Sequence, residues 1–89
     1  MVSKLARAKV KDFQVWKKVY DEAVDLRTSF GGGADQVFQD ASDPNTYVAI
    51  INWDTQENAQ KYAQSPELKA AMETAGVVGP PTVYFLNEA

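Results

Sequence analysis

Tyr47-Val48-Ala49-Ile50-Ile51-Asn52-Trp53 is the longest apolar run in the chain, and its reading decides the fold. It is rich in β-branched and aromatic residues and bounded by turn or cap chemistry, Asp43-Pro44-Asn45 before it and Asp54-Thr55 after it. That composition predicts a strand. Alternation puts Tyr47, Ala49, Ile51 and Trp53 on one face and Val48, Ile50 and Asn52 on the other. Both faces are largely apolar, so the strand belongs in the middle of a sheet with a cover on each side.

The neighbouring segments supply one of those covers. Residues 3–10 alternate, with Lys4, Ala6, Ala8 and Val10 on one side; Ala6, Ala8 and Val10 are expected to face the helices, where two alanines leave room. Asp12 is a natural N-cap, and from Phe13 to about Phe30 Trp16, Val19, Ala23, Leu26 and Phe30 follow helical spacing. Gly31-Gly32-Gly33 ends that helix. It follows a helix and lacks a downstream Lys-Ser/Thr pair, so it is not a phosphate loop. Residues 34–40 suit an edge strand, forming a hairpin with the central one. Asp54 or Thr55 caps a second helix, with Glu57 placed for a capping box. Ser65-Pro66 restarts that helix, giving segments of roughly 56–64 and 66–75. Residues 77–81 read as a stiff connection before a last strand, Thr82–Leu86. The order β-α-β-β-α-β is the ferredoxin-like plan of the α+β class: a four-stranded antiparallel sheet with two helices on one face. The uncovered face calls for a second copy of the chain, a homodimer.

Composition narrows the chemistry. Eighty-nine residues make a single domain, 1–89. Neither cysteine nor histidine is present. Disulfides, Ser-His-Asp and Cys-His constellations and zinc motifs are therefore excluded; carboxylates, amides and carbonyls would suit nothing softer than Mg²⁺ or Ca²⁺, and no metal site is assigned. Any acid or base must be a shifted Asp, Glu, Lys or Tyr. Net charge is −3, with seven basic against four acidic residues in 1–30 and two against eight in 31–89. An acidic domain whose lysines lack interleaved aromatics is not expected to bind nucleic acid. No run reaches membrane-span length and no signal-peptide core follows the N-terminus, so a cytoplasmic protein without a membrane partner is expected.

The chain resembles the dimeric α/β-barrel superfamily, specifically its small antibiotic-biosynthesis-monooxygenase-like and cyclase-like members. The resemblance spans nearly the whole chain. It rests on Val10-Lys11-Asp12-Phe13 with Trp16, Leu26-Arg27, Asp43-Pro44-Asn45, Asn52-Trp53-Asp54, Ser65-Pro66-Glu67-Leu68 and Gly76-Val77-Val78-Gly79-Pro80-Pro81. It implies a dimeric α/β barrel with a pocket in each protomer between sheet and helices. It also implies either cofactor-independent oxygenation or cyclisation of an aromatic or polyketide-like molecule. Histidines are common in such proteins where Ala8 and Ala23 stand here. Their absence excludes haem ligation by histidine and keeps open the alternative, a non-catalytic dimeric domain that binds a small ligand or a partner.

The residues for a pocket are Trp16, Tyr20, Arg27, Asn52 and Trp53. Trp16 either packs the core or lines a cavity, and Trp53 needs a partner for its indole N–H if buried. The Tyr20 hydroxyl meets ligand or water. Asn52, the polar member of the apolar run, satisfies backbone at a strand end or orients a ligand carbonyl. Arg27 binds an oxyanion or forms a salt bridge. Tyr62 and Tyr84 are expected in core or subunit contacts. No catalytic residue is assigned and no cofactor is expected.

Overall fold

The computed structural model describes residues 1–89. Its elements are β1 (Val2–Val10), α1 (Phe13–Glu22), α2 (Val24–Ser29), β2 (Gly32–Gln39), β3 (Thr46–Trp53), α3 (Gln56–Ala63), α4 (Pro66–Ala75) and β4 (Val77–Leu86). The four strands form one antiparallel sheet in the order β2-β3-β1-β4. This is the ferredoxin-like α+β architecture, with β3 and β1 inside the sheet. β1 and β3 pair without interruption from Val2↔Trp53 to Lys9↔Thr46.

Register fixes the faces, because directly paired residues point to the same side. Tyr47, Ala49, Ile51 and Trp53 of β3 are all buried, as are Val2, Lys4, Ala8 and Val10 of β1. Trp16, Ala59, Tyr62 and Ala75 from the helices pack onto this face, in two clusters centred on Trp16 and on Trp53. The opposite face carries no helix. There Leu5, Val48 and Ile50 are partly covered, while Phe38, Tyr84 and Leu86 are exposed by 49%, 57% and 40%.

The helix caps follow the local sequence. Asp12 accepts hydrogen bonds from the backbone N–H groups of Gln14 and Val15, and the Ser65 hydroxyl accepts one from Leu68 with Pro66 in the first turn. Thr55 caps α3 by accepting from Asn58 N–H. Asp54 instead accepts from Thr55 N–H and the Asn58 side-chain amide, and Glu57 pairs with Lys61. The capping box expected from Asp54 therefore does not form.

Two further expectations need correction. The first helix is not continuous to Phe30; it breaks at Ala23. The carbonyl of Tyr20 accepts from the Ala23 N–H and from the Arg27 guanidinium, at 3.2 and 2.7 Å. A side chain that takes a ladder carbonyl in this way interrupts the helix. The last strand also starts earlier than Thr82, because Val77 and Val78 pair with Val10 and Lys9. The register shifts between Arg7 and Lys9, leaving Gly79-Pro80-Pro81 in a bulge. Proline lacks an N–H, and an irregular edge strand is where a sheet tolerates that loss.

Gly31 and Gly79 both have positive φ, 98° and 74°. A Cβ on Gly31 would collide with the Asp54 carboxylate, whereas one on Gly79 would meet nothing within 4 Å. Gly79→Ala should cost only the backbone term, about 1–2 kcal/mol. Gly31→Ala should cost about 3 kcal/mol or more, because overpacking is added. Urea unfolding of the two variants side by side checks this; equal losses would mean that Asp54 moves aside freely.

Candidate functional site

A cavity of about 230 Å³ lies between the helix-facing side of the sheet and the helices. Its space comes from small side chains: Ala6 and Ala49 on the sheet face Ala23, Ala63, Ala71 and Ala75 on or between the helices. Facing alanines cannot fill the gap between a sheet and the helices packed on it.

One wall is aromatic. Trp16 stacks on Tyr47 with ring centroids 4.0 Å apart and on Tyr20 at 5.0 Å. Arg27, only 6% exposed, lays its guanidinium 3.9 Å over the Tyr20 ring while donating to that residue's carbonyl. The helix break thus presents a cation to the cavity. The Tyr20 hydroxyl donates to the Asp35 carboxylate of β2 at 2.6 Å. Tyr62 and Lys4 occupy another side, the Lys4 amine 5.5 Å from the Tyr62 ring centre. Lys4 and Arg27 are the only basic residues lining the cavity, and no carboxylate lines it.

The electrostatics follow from burial. Desolvation, then the bond to Asp35, pushes the Tyr20 phenol well above its ordinary range, although the Arg27 charge opposes this. Desolvation raises the Tyr47 phenol to about 12. It also raises Tyr62, against the opposing influence of Arg27. These three residues are therefore neutral phenols at neutral pH. Desolvation lowers the Lys4 amine from its ordinary value of 10.5, because no anion lies close enough to hold its proton.

Of the five residues named from sequence, Trp16, Tyr20 and Arg27 meet at this cavity. Asn52 does not: it sits on the opposite face of β3, where its side-chain oxygen accepts a 2.7 Å hydrogen bond from Ser3, its cross-strand partner. Trp53 is fully buried outside the lining, backing Tyr62 at a centroid distance of 5.0 Å, with its indole N–H unpartnered. Ala23 lines the cavity, whereas Ala8 packs in the core with Trp16 and Tyr47. Lys4, Tyr47 and Tyr62 belong to the site and were not singled out for it. For Lys4 the signal was present, since alternation along β1 places it on the same face as Ala6, Ala8 and Val10. No group of three or more Asp or Glu side chains is placed to hold a metal ion, and no helix is long and apolar enough to cross a membrane.

An apolar cavity under the helices of a ferredoxin-like sheet defines the class, and comparison with known proteins defines the family. The sequence profile of the antibiotic biosynthesis monooxygenase family matches residues 2–74. The chain belongs to that family. Among solved structures, it is similar to a candidate antibiotic biosynthesis monooxygenase from Bordetella bronchiseptica, with a TM-score of 0.83 and 16% identity over 99% of this chain and 96% of that one. SnoaB, a cofactor-independent oxygenase from Streptomyces nogalater, superposes with a TM-score of 0.79 at 13% identity, over 99% of this chain and 92% of that one. A candidate monooxygenase from Nitrosomonas europaea gives 0.73 at 16% identity, over 99% and 98%. At these identities the structures establish the fold. No curated protein matches the chain by sequence.

The burial of Tyr47 makes a prediction about alkaline stability. Its phenol ionises near 10.0 when unfolded and at about 12 when folded. The folded state keeps the proton longer, so the contribution is complete below pH 10 and is lost as pH rises towards 12. The slope is at most roughly 1.4 kcal/mol per pH unit for one group. In urea melts between pH 9 and 12, Tyr47→Phe should show a shallower alkaline loss than wild type. An unchanged slope would remove the assignment.

Proposed function

We propose that this chain is a cofactor-independent monooxygenase acting on a hydrophobic aromatic molecule that carries an acidic C–H or O–H, and that it works as a homodimer. The observation that carries this reading is the cavity: apolar and aromatic walls with the Arg27 cation and no carboxylate. Such a site takes up a flat apolar molecule and favours its deprotonated form over its neutral one. An electron-rich carbanion or phenolate can itself reduce O₂. For an activated methylene, R₂CH₂ + O₂ gives R₂C=O + H₂O, one oxygen atom entering the product and the other leaving as water, so the balance needs no external reductant. Arg27 would stabilise the developing oxyanion, and Trp16 and Tyr47 would hold the ring plane. Family membership and the fold shared with SnoaB support the same reaction class.

A second reading, a non-catalytic ligand-binding domain, draws on two observations. The Tyr20 hydroxyl is already committed to Asp35, and Asn52 faces away from the cavity. Oxygen uptake with anthrone separates the two readings. The enzyme reading expects uptake above autoxidation, falling about 10²-fold in Arg27→Met that circular dichroism shows to be folded. Equal rates with and without protein, alongside tight anthrone binding, would select the binding domain.

The helix-free sheet face supports the homodimer. Leu5, Val48, Ile50, Phe38, Tyr84 and Leu86 share it and form a contiguous apolar surface. Patches of this kind mark association sites. Burying a carboxylate there without a partner is costly. Ile50→Glu should therefore shift the protein to monomer in sedimentation velocity at micromolar concentration. A wild-type monomer under the same conditions would defeat the dimer.

A further inference from the structure

The buried amine of Lys4 has no role in what has been described so far. It projects from the helix-facing side of β1, between Ile51 of β3 and Phe85 of β4 in register, and both neighbours are apolar. It is 6% exposed and makes neither a salt bridge nor a hydrogen bond. The titratable groups that line the same cavity are Tyr20 and Arg27 from the α1–α2 segment, Tyr47 from β3 and Tyr62 from α3; α4 and β4 contribute none. Asp35 reaches only the Tyr20 hydroxyl. A lysine spends its charge poorly here. Fixing an ammonium in an apolar cavity without a counter-anion is unfavourable, and a chain gains stability by placing an apolar residue there instead.

We propose that Lys4 is the cavity's proton acceptor: its neutral amine takes the acidic proton of a bound aromatic phenol or an equally acidic C–H, and the ammonium so formed holds the anion. This rests on the reading of the cavity as an aromatic-substrate site and assigns the base that reading leaves open. The step balances as ArO–H + H₂N–Lys4 → ArO⁻ + ⁺H₃N–Lys4. No other lining group can perform it. The tyrosines are phenols held protonated, and a guanidinium has no lone pair to offer. Burial among apolar neighbours without a counter-anion works against the ammonium and lowers the amine's pKa, which favours the proton-accepting form this step requires. After transfer, two opposite charges face each other in a medium of low polarity, where their attraction is strong and offsets the burial of each. Arg27, already bonded to the Tyr20 carbonyl, adds a fixed positive charge without exchanging a proton.

The test uses the full chain and 4-nitrophenol, whose phenolate absorbs apart from its phenol, at a pH below the probe's own pKa. Calorimetry in two buffers of different ionisation heat counts protons at the same pH. Expected for wild type is a bound probe showing the phenolate band with no net proton released, since the proton passes to Lys4. Lys4→Met, which replaces the amine by an unbranched apolar side chain, should bind the probe with the phenolate band lost. A bound probe that stays a phenol overturns the proposal while leaving an aromatic site intact. So does a phenolate band accompanied by release of one proton per ligand, which would mean that Lys4 was charged beforehand. So does a band retained in Lys4→Met. Failure of the probe to bind at all removes the aromatic site and the proposal together. Independently of any ligand, ¹³C NMR of the Lys4 Cε should titrate below the range of exposed lysines; titration within that range overturns the proposal.

Discussion

The structure depends on the uninterrupted pairing of β1 with β3. Eight consecutive residue pairs lock the two inner strands in one register. A slip by one residue would turn every inward side chain outward. With the register fixed, Ile51 and Ile50 are committed to opposite sides, and so are the two tasks of the sheet. One face receives helices and encloses a space. The other remains an apolar surface without a helix. A strand polar on one side could serve only one of these two purposes.

What the helix side encloses is set by side-chain size and by one arginine. Alanines on both layers hold the space open, and the stacked Trp16, Tyr47 and Tyr20 give it a flat wall. Arg27 has two functions at once. It takes the Tyr20 carbonyl, which ends α1, and in doing so it is held against the Tyr20 ring at the cavity. The same interaction shapes the backbone and sets the local charge. Tyr20 is tied at its other end to Asp35, so the helical layer is tethered to the edge strand as well as to the core.

Much of this was legible in the sequence because the signals were local. The apolar run 47–53, the Ser65-Pro66 restart and the Asp12 cap each carry their meaning within a few residues. The break at Ala23 was not legible. Alanine favours helix, and the cause is a side chain four residues on that turns back to a carbonyl. The length of β4 was hidden for a similar reason, since two prolines argue against a strand until a bulge opposite Ala8 accommodates them. Asn52 and Lys4 show the limit within a strand. Parity alone places Asn52 with Val48 and Ile50, away from the helices, and Lys4 with Ala6, towards them. Residue chemistry suggested the reverse in both cases, and register prevailed.

The bulge in β4 has a further consequence, for how copies of this chain can meet. β4 and β2 are the two free edges of the sheet. Along β4, Pro80 and Pro81 offer no N–H, and Gly79 turns the backbone out of line, so no continuous ladder can be templated there. Along β2, the register shift between Gly32 and Asp35 and the acid at Asp35 disrupt the other edge. A sheet with blocked margins and an apolar face is protected from growing strand by strand into fibrils. Its exposed apolar area is confined to one flat surface, and contacts made through such a face, unlike strand-to-strand pairing, do not template further growth.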